Sequence, residues 1–231
     1  MPWYDGGMHV LLSGIVGSTA YGLNTPESDV DLLGIFAAPT TEFHGLTQPA
    51  ESHVTTHPDS TYHEARKAMR LMLSCNPTVT EILWLPNDLY ETRTYFGDEL
   101  VRFRIELLAY HRVRNAYLGY ATQQFKKLEA RGDGSFSADT RKRIAKHARH
   151  LYRLCHQGYT LHATGTLSVR LDDPQKFLDF GEHVADGNIE AARDMLAHYE
   201  GLFNWTPTVL PDEPNTAAAE SWLQRVRKEY L

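Results

Sequence analysis

Two aspartates, Asp29 and Asp31, stand two residues apart, and an almost wholly apolar run follows them: Leu32, Leu33, Gly34, Ile35 and Phe36. Side chains alternate along a strand, so a strand opening here turns both carboxylates to one side. Paired carboxylates make a poor core and a good site for a hard divalent cation, which takes oxygen ligands from protein and phosphate together. Upstream, Gly17 and Ser18 form a turn in which the missing Cβ lets backbone N–H groups approach a phosphate and the hydroxyl adds a donor. A helix starting just after that turn points its positive end at the same anion. Together these residues predict phosphoryl or nucleotidyl transfer, with metal ions clamping the attacking and leaving oxygens of an in-line displacement. The rival is a plain connection with a polar turn at Asn24, Pro26, Glu27 and Ser28. Against it stands the apolar run, which reads as a buried strand with its acids at the exposed mouth.

The elements that must position these groups follow from pattern. Residues 10–15 read as a strand, Tyr21 and Gly22 as a short helical connection, and the second strand opens with Asp29 and Asp31. Residues 37–48 read as a loop and 51–56 as a short strand. From Thr61 or Tyr62 to Ser74, Ala65, Met69 (or Ala68), Met72 and Leu73 recur at helical steps until Asn76-Pro77 ends the helix. Pro86, Asn87 and Asp88 mark a boundary. Residues 99–131 predict one long helix, or two broken near Gly119, and 131–135 a turn. The next helix, capped by Ser137 or Asp139, runs to about Gln157 and ends at Gly158. Leu167, Val169 and Leu171 alternate like a short strand. Helices follow from Pro174, over 189–199 behind Asn188, and over 217–230 behind Thr216. The fold class is α+β (α/β), with a catalytic core over 1–90 and a helical domain over 91–231 that closes the cleft.

Gly17-Ser18, Tyr21-Gly22 and Ser28-Asp29-Val30-Asp31 resemble the G-S…D-x-D element of the DNA polymerase β-like nucleotidyltransferase superfamily. The wording GSTAYGLNTPESDVDLLGIF is similar to the branch related to the RNA-ligase-associated RlaP proteins. That resemblance implies a small mixed sheet followed by a mainly helical part, and transfer of an NMP from an NTP with release of pyrophosphate. It implies Mg²⁺, with Mn²⁺ as an alternative, held by Asp29, Asp31 and a third carboxylate. Asp59 is the candidate for the third, with Glu51 and Glu64 as substitutes; its plain reading is a helix-capping or turn residue. Asn76-Pro77 followed by Glu81-Ile82-Leu83-Trp84 resembles the N-P…E-x-L segment of the same family. Of Arg66 and Lys67, the resemblance favours Lys67 for the triphosphate. Lys146, His150 and Arg153 share one helical face at i, i+4 and i+7, and that face resembles a K-x-x-x-H-x-x-R-L element holding phosphates or the acceptor. The plain reading of that face, as of Lys67, is solvated charge.

Composition limits the partners. With 42% hydrophobic and 23% charged residues the chain is of ordinary globular make-up. A formal charge of −6 speaks against bulk binding of nucleic acid, yet Arg141, Lys142, Arg143, Lys146 and Arg149, with His147 and His150, form one basic segment able to hold a polyanion. Two cysteines, Cys75 and Cys155, match neither a disulfide framework nor a metal site and predict reduced thiols. His53, His57 and His63 have mixed spacing and read as a solvated loop. No signal peptide or membrane span is expected, and the predicted location is the cytoplasm. Expected partners are an NTP and an acceptor hydroxyl, an RNA end ahead of a small molecule or a protein. The alternative function is a nucleotide- or RNA-binding module that keeps the fold without turnover.

Overall fold

In the computed structural model, which describes residues 8–25, 28–130 and 138–231, the alternating N-terminal segments build a five-stranded mixed sheet. Its strands are β1 (His9–Val16), β2 (Asp31–Ala37), β3 (Ser52–Thr56), β4 (Asp59–Glu64) and β5 (Tyr90–Arg93), in the order β3-β4-β2-β1-β5. β2 runs antiparallel to β1 and parallel to β4, while β3 and β5 close the two edges antiparallel. Leu11, Leu12, Leu33, Ile35 and Phe36 are buried, as expected of a sheet covered on both faces. Helical structure follows the sheet, so the class is α+β with a small mixed sheet and a mainly helical remainder.

Helix α1 (Gly17–Tyr21) fills the first connection, and α2 (Ala65–Leu73) begins at Ala65 rather than at Thr61 or Tyr62, because 59–64 pair as β4 instead. Ala68, Met69 and Met72 form its buried stripe. The loop over 37–48 contains a 3₁₀ turn, Thr40–His44. The short α3 (Pro77–Thr80) follows Asn76, whose side chain accepts from Thr78 and Val79 N–H, with Pro77 in the favoured first position.

The helix expected over 99–131, single or broken near Gly119, is instead α4 (Tyr95–Arg102), a 3₁₀ turn (Arg104–Leu107) and α5 (Tyr110–Glu129). The break falls where Leu107, Leu108 and Ala109 are all buried, and Gly119 lies inside an unbroken α5. Helix α6 (Ala138–Thr164) runs straight through Gly158, where a Cβ would come within 2.5 Å of Tyr117 on α5. That glycine allows close helix packing and ends nothing. Residues Leu167, Val169 and Leu171 are buried but form no strand; Gln157 donates to the carbonyls of Ser168 and Val169, occupying groups a ladder would need. Helices α7 (Pro174–Ala185), α8 (Ile189–Trp205) and α9 (Thr216–Glu229) complete the chain, the last capped by Asn215. The turn expected at 131–135, the cap Ser137, and Pro26 and Glu27 lie outside the described residues.

Two compact units emerge. One comprises residues to Ala109 together with Glu213–Leu231; the other is Tyr110–Asp212. The sheet unit therefore extends past residue 90 and includes α9. Within it Trp222 Nε1 donates to the Phe96 carbonyl at 3.1 Å, and Thr40 N–H donates to the Tyr230 carbonyl at 2.7 Å. Arg227 pairs with Glu64 at 2.6 Å and lays its guanidinium over the Phe43 ring at 4.1 Å. Glu64 is 2% exposed and caps α2 by accepting from Arg66 N–H.

Removing one partner of such a pair strands a buried charge. Arg227→Met is expected to lower the unfolding free energy by about 3 kcal/mol in urea titrations. Adding Glu64→Gln should recover part of that loss, a coupling visible in a double-variant cycle.

Candidate functional site

The site begins where β1 hands over to α1. The last pair of the β1–β2 ladder sets Val16 opposite Asp31, so the next residue, Gly17, passes beside the Asp31 side chain. Gly17 has φ +68°, and a Cβ built there would lie 1.9 Å from Asp31 Oδ2. Both facts demand glycine, one through backbone conformation and the other through space. Ser18 follows in the first turn of α1, and Gly22 closes that helix in the left-handed region, with Leu23 N–H donating to the Ser18 carbonyl at 2.9 Å. At five residues α1 adds little dipole, so anion binding here rests on the turn's N–H groups and the Ser18 hydroxyl.

The three predicted carboxylates differ in setting. Asp31 is the first residue of β2 and is half-buried; Asp29 precedes the strand and is exposed. Strand alternation therefore governs Asp31 but not Asp29. Asp59 opens β4 directly after the β3–β4 turn and is exposed. The parallel ladder pairs Leu32 with Ser60, so Asp31 and Asp59 each stand one residue ahead of the first pair on neighbouring strands. Neighbouring strands lie about 4.8 Å apart, which makes Asp31 and Asp59 neighbouring backbone positions at the same sheet end.

Among the described residues no three of His, Cys, Asp and Glu are gathered so as to hold a metal ion. The donor chemistry still fits Mg²⁺, which takes one or two carboxylates plus substrate phosphates and seldom an all-protein cage. The substitutes for Asp59 are engaged elsewhere: Glu64 with Arg227 and the α2 amide, Glu51 with Arg66 and Arg70.

Lys67 sits at the other end of β4. Its Nζ donates to Ser52 Oγ at 2.8 Å, and His63 Nδ1 meets the same hydroxyl at 2.8 Å. Burial, and then the Lys67 charge, push the His63 pKa below its ordinary value. His63 is four residues from Asp59 along β4, about 13 Å by strand rise. His53 and His57 are exposed.

In the second unit, Lys146, His150 and Arg153 all lie on α6 as their spacing predicts. Lys146 is exposed. Arg153 is 4% exposed and points its guanidinium at Gln157 Oε1 (2.5 Å) and His150 Nδ1 (3.1 Å). Burial first, then Arg153 and neighbouring cations, push the His150 pKa down to about 3.

One pairing is invisible in the sequence. Tyr21 Oη lies 2.9 and 2.8 Å from the two carboxylate oxygens of Glu81, both residues buried, joining α1 to the 3₁₀ turn Glu81–Trp84. A carboxylate directly ahead of the apolar run Ile82, Leu83, Trp84 is the signal that marks Glu81 as unusual.

Compared with known families, the chain matches RlaP, the RNA repair pathway DNA polymerase beta family, over residues 5–195. Among solved structures, a nucleotidyltransferase-like protein from Exiguobacterium sibiricum 255-15 is similar over 98% of this chain and 75% of its own, at 14% identity and TM-score 0.34. No curated protein matches the chain.

The lowered His150 pKa carries a sign. Between about 3 and the ordinary 6.5 the unfolded chain binds the proton that the folded chain refuses, so stability falls as pH drops through that window. The expected loss is roughly 1 kcal/mol per pH unit. Urea titrations from pH 7 to pH 4 should show a shallower decline in His150→Gln than in the wild type.

Proposed function

The chain belongs to the RlaP family, the RNA repair pathway DNA polymerase beta family, and from that premise we propose that it moves a nucleoside monophosphate from an NTP to an acceptor hydroxyl and releases pyrophosphate. The observation that carries this reading is the contact of Gly17 with Asp31, with Asp59 lateral to Asp31 in the next strand. It joins a turn open to phosphate with Asp31, and the parallel register brings the start of β4 to the same sheet end.

In this reading Asp29, Asp31 and Asp59 hold Mg²⁺ or Mn²⁺. Divalent ions held there would supply charge neutralisation for the triphosphate and for the departing pyrophosphate. Gly17 keeps the turn bare so that backbone N–H groups meet oxygens of the β- and γ-phosphates, and Ser18 Oγ donates a further bond. The Asp59 carboxylate orients the acceptor hydroxyl and accepts its proton. The acceptor oxygen bonds to the α-phosphorus as the bond from that phosphorus to the bridging oxygen breaks. No covalent enzyme intermediate is formed; rate comes from positioning and charge neutralisation. The nucleotide roles of Lys67, Lys146, His150 and Arg153 rest on sequence resemblance alone; Lys67 is bonded to Ser52 at the far end of β4, and Arg153 is buried against Gln157 and His150.

The favoured acceptor is an RNA end, in keeping with the RNA repair description of the family; a small hydroxylated molecule and a protein side chain are the alternatives. The proposed location is the cytoplasm. No helix among the described residues is long and apolar enough to cross a membrane.

Pyrophosphate release from each of the four NTPs, with Mg²⁺ and RNA oligonucleotides ending in a hydroxyl, tests the reading. Release is expected with at least one NTP, and Asp31→Asn should reduce it by about 10²-fold or more. NTP binding without release, for RNA, small-molecule and protein acceptors alike, would replace transfer with the binding-module function.

A further inference from the structure

Glu81 is 2% exposed among Ile82, Leu83 and Trp84, all buried. Burying a carboxylate costs free energy that an apolar side chain of similar size would avoid, so such a pair is poor stabilising material. What a hydrogen bond adds over an apolar contact is direction. The direction here is specific: both Glu81 oxygens face the hydroxyl of Tyr21, the last residue of α1.

Each end of this bond is anchored. On the Glu81 side, Thr80 N–H donates to the Asn76 carbonyl at 2.9 Å, Tyr90 Oη donates to the Ile82 carbonyl at 2.7 Å, and Arg104 Nη1 reaches the Leu83 carbonyl at 3.3 Å. On the other side, α1 is only five residues long and starts at Gly17, where the Asp31 carboxylate fills the space of a side chain. A rotation of α1 about its β1 attachment would move Gly17 and Ser18 against Asp31. The bond at the far end of α1 resists that rotation.

We infer that Tyr21 and Glu81 are a positioning pair: their buried bond holds α1 so that the Gly17-Ser18 turn keeps its register against Asp31. The inference rests on the nucleotidyl-transfer reading, and it assigns these two residues to the binding of the β- and γ-phosphates without contact to them. Neither residue takes part in bond making. A turn that holds phosphate equally in ground state and transition state affects KM more than kcat.

The test compares Tyr21→Phe, Glu81→Gln and Glu81→Leu with the wild type, in steady-state pyrophosphate release and in direct binding of Mg²⁺-NTP and of the corresponding NMP. Tyr21→Phe keeps the ring and its packing, so the fold is expected to survive, as circular dichroism will report. Its KM and Kd for NTP should rise about tenfold, the value of a hydrogen bond to a charged group. Its kcat should change by less than threefold, and its affinity for NMP should stay unchanged. Glu81→Gln keeps an acceptor oxygen and should stay within threefold of wild type, whereas Glu81→Leu should follow Tyr21→Phe. A merely structural bond would give the opposite split, with less active protein and an unaltered KM. If the wild type is active and Tyr21→Phe binds and turns over NTP with unchanged KM, this inference fails alone. If the wild type neither binds nor uses any NTP, the transfer reading fails and takes the inference with it.

Discussion

The carboxylate of Asp31 stands in the space that a side chain on Gly17 would occupy, and the chain around the site is arranged to allow that approach. β1 and β2 meet antiparallel up to Val16 and Asp31, so the handover to α1 happens at the mouth of the sheet. Glycine is needed there twice over, for a positive φ and for bare space. The result is a backbone turn and an acid in direct contact, one suited to phosphate oxygens and the other to the cations that accompany them. A metal–nucleotide complex carries both the cations that suit the acid and the phosphate oxygens that suit the turn. That is why the chemistry fits a nucleotide arriving with its metal better than a metal stored by the protein.

The parallel pairing of β2 with β4 extends the same logic by one strand. It sets Asp59 beside Asp31 without asking either to leave regular backbone, while the other end of β4 is given to structure. There Glu64 caps α2 and pairs with Arg227 of α9, and Lys67 and His63 share the Ser52 hydroxyl. One strand thus carries a candidate catalytic acid at its start and a structural acid at its end. Residues of the last helix lie beyond the family match, which ends at 195, yet they finish the sheet unit by holding that structural end.

Much of this was legible in the residues, because local chemistry dictated it. Gly17-Ser18 and the acids ahead of the apolar run marked the candidate site, and the proline after Asn76 announced the end of α2. What pattern could not show were features decided by distant partners. Residues 59–64 are polar enough to pass for the start of a helix, and only pairing with β2 and β3 makes them a strand. Gly158 looks like a helix stop until Tyr117 is seen against it. Leu167, Val169 and Leu171 alternate like a strand, but Gln157 claims the carbonyls of Ser168 and Val169. The Tyr21–Glu81 bond joins residues sixty positions apart, and no local rule connects them.

The central claim is that Asp29, Asp31 and Asp59 share one cation site with a nucleotide seated on the Gly17-Ser18 turn. A crystal grown with Mn²⁺ and an NTP whose α,β-bridge resists cleavage, examined by anomalous scattering, addresses it directly. The account predicts anomalous density bounded by those three carboxylates, with triphosphate oxygens on the amides of Gly17 and Ser18. Mn²⁺ and nucleotide bound elsewhere, with Asp31 left in contact only with protein, would contradict it.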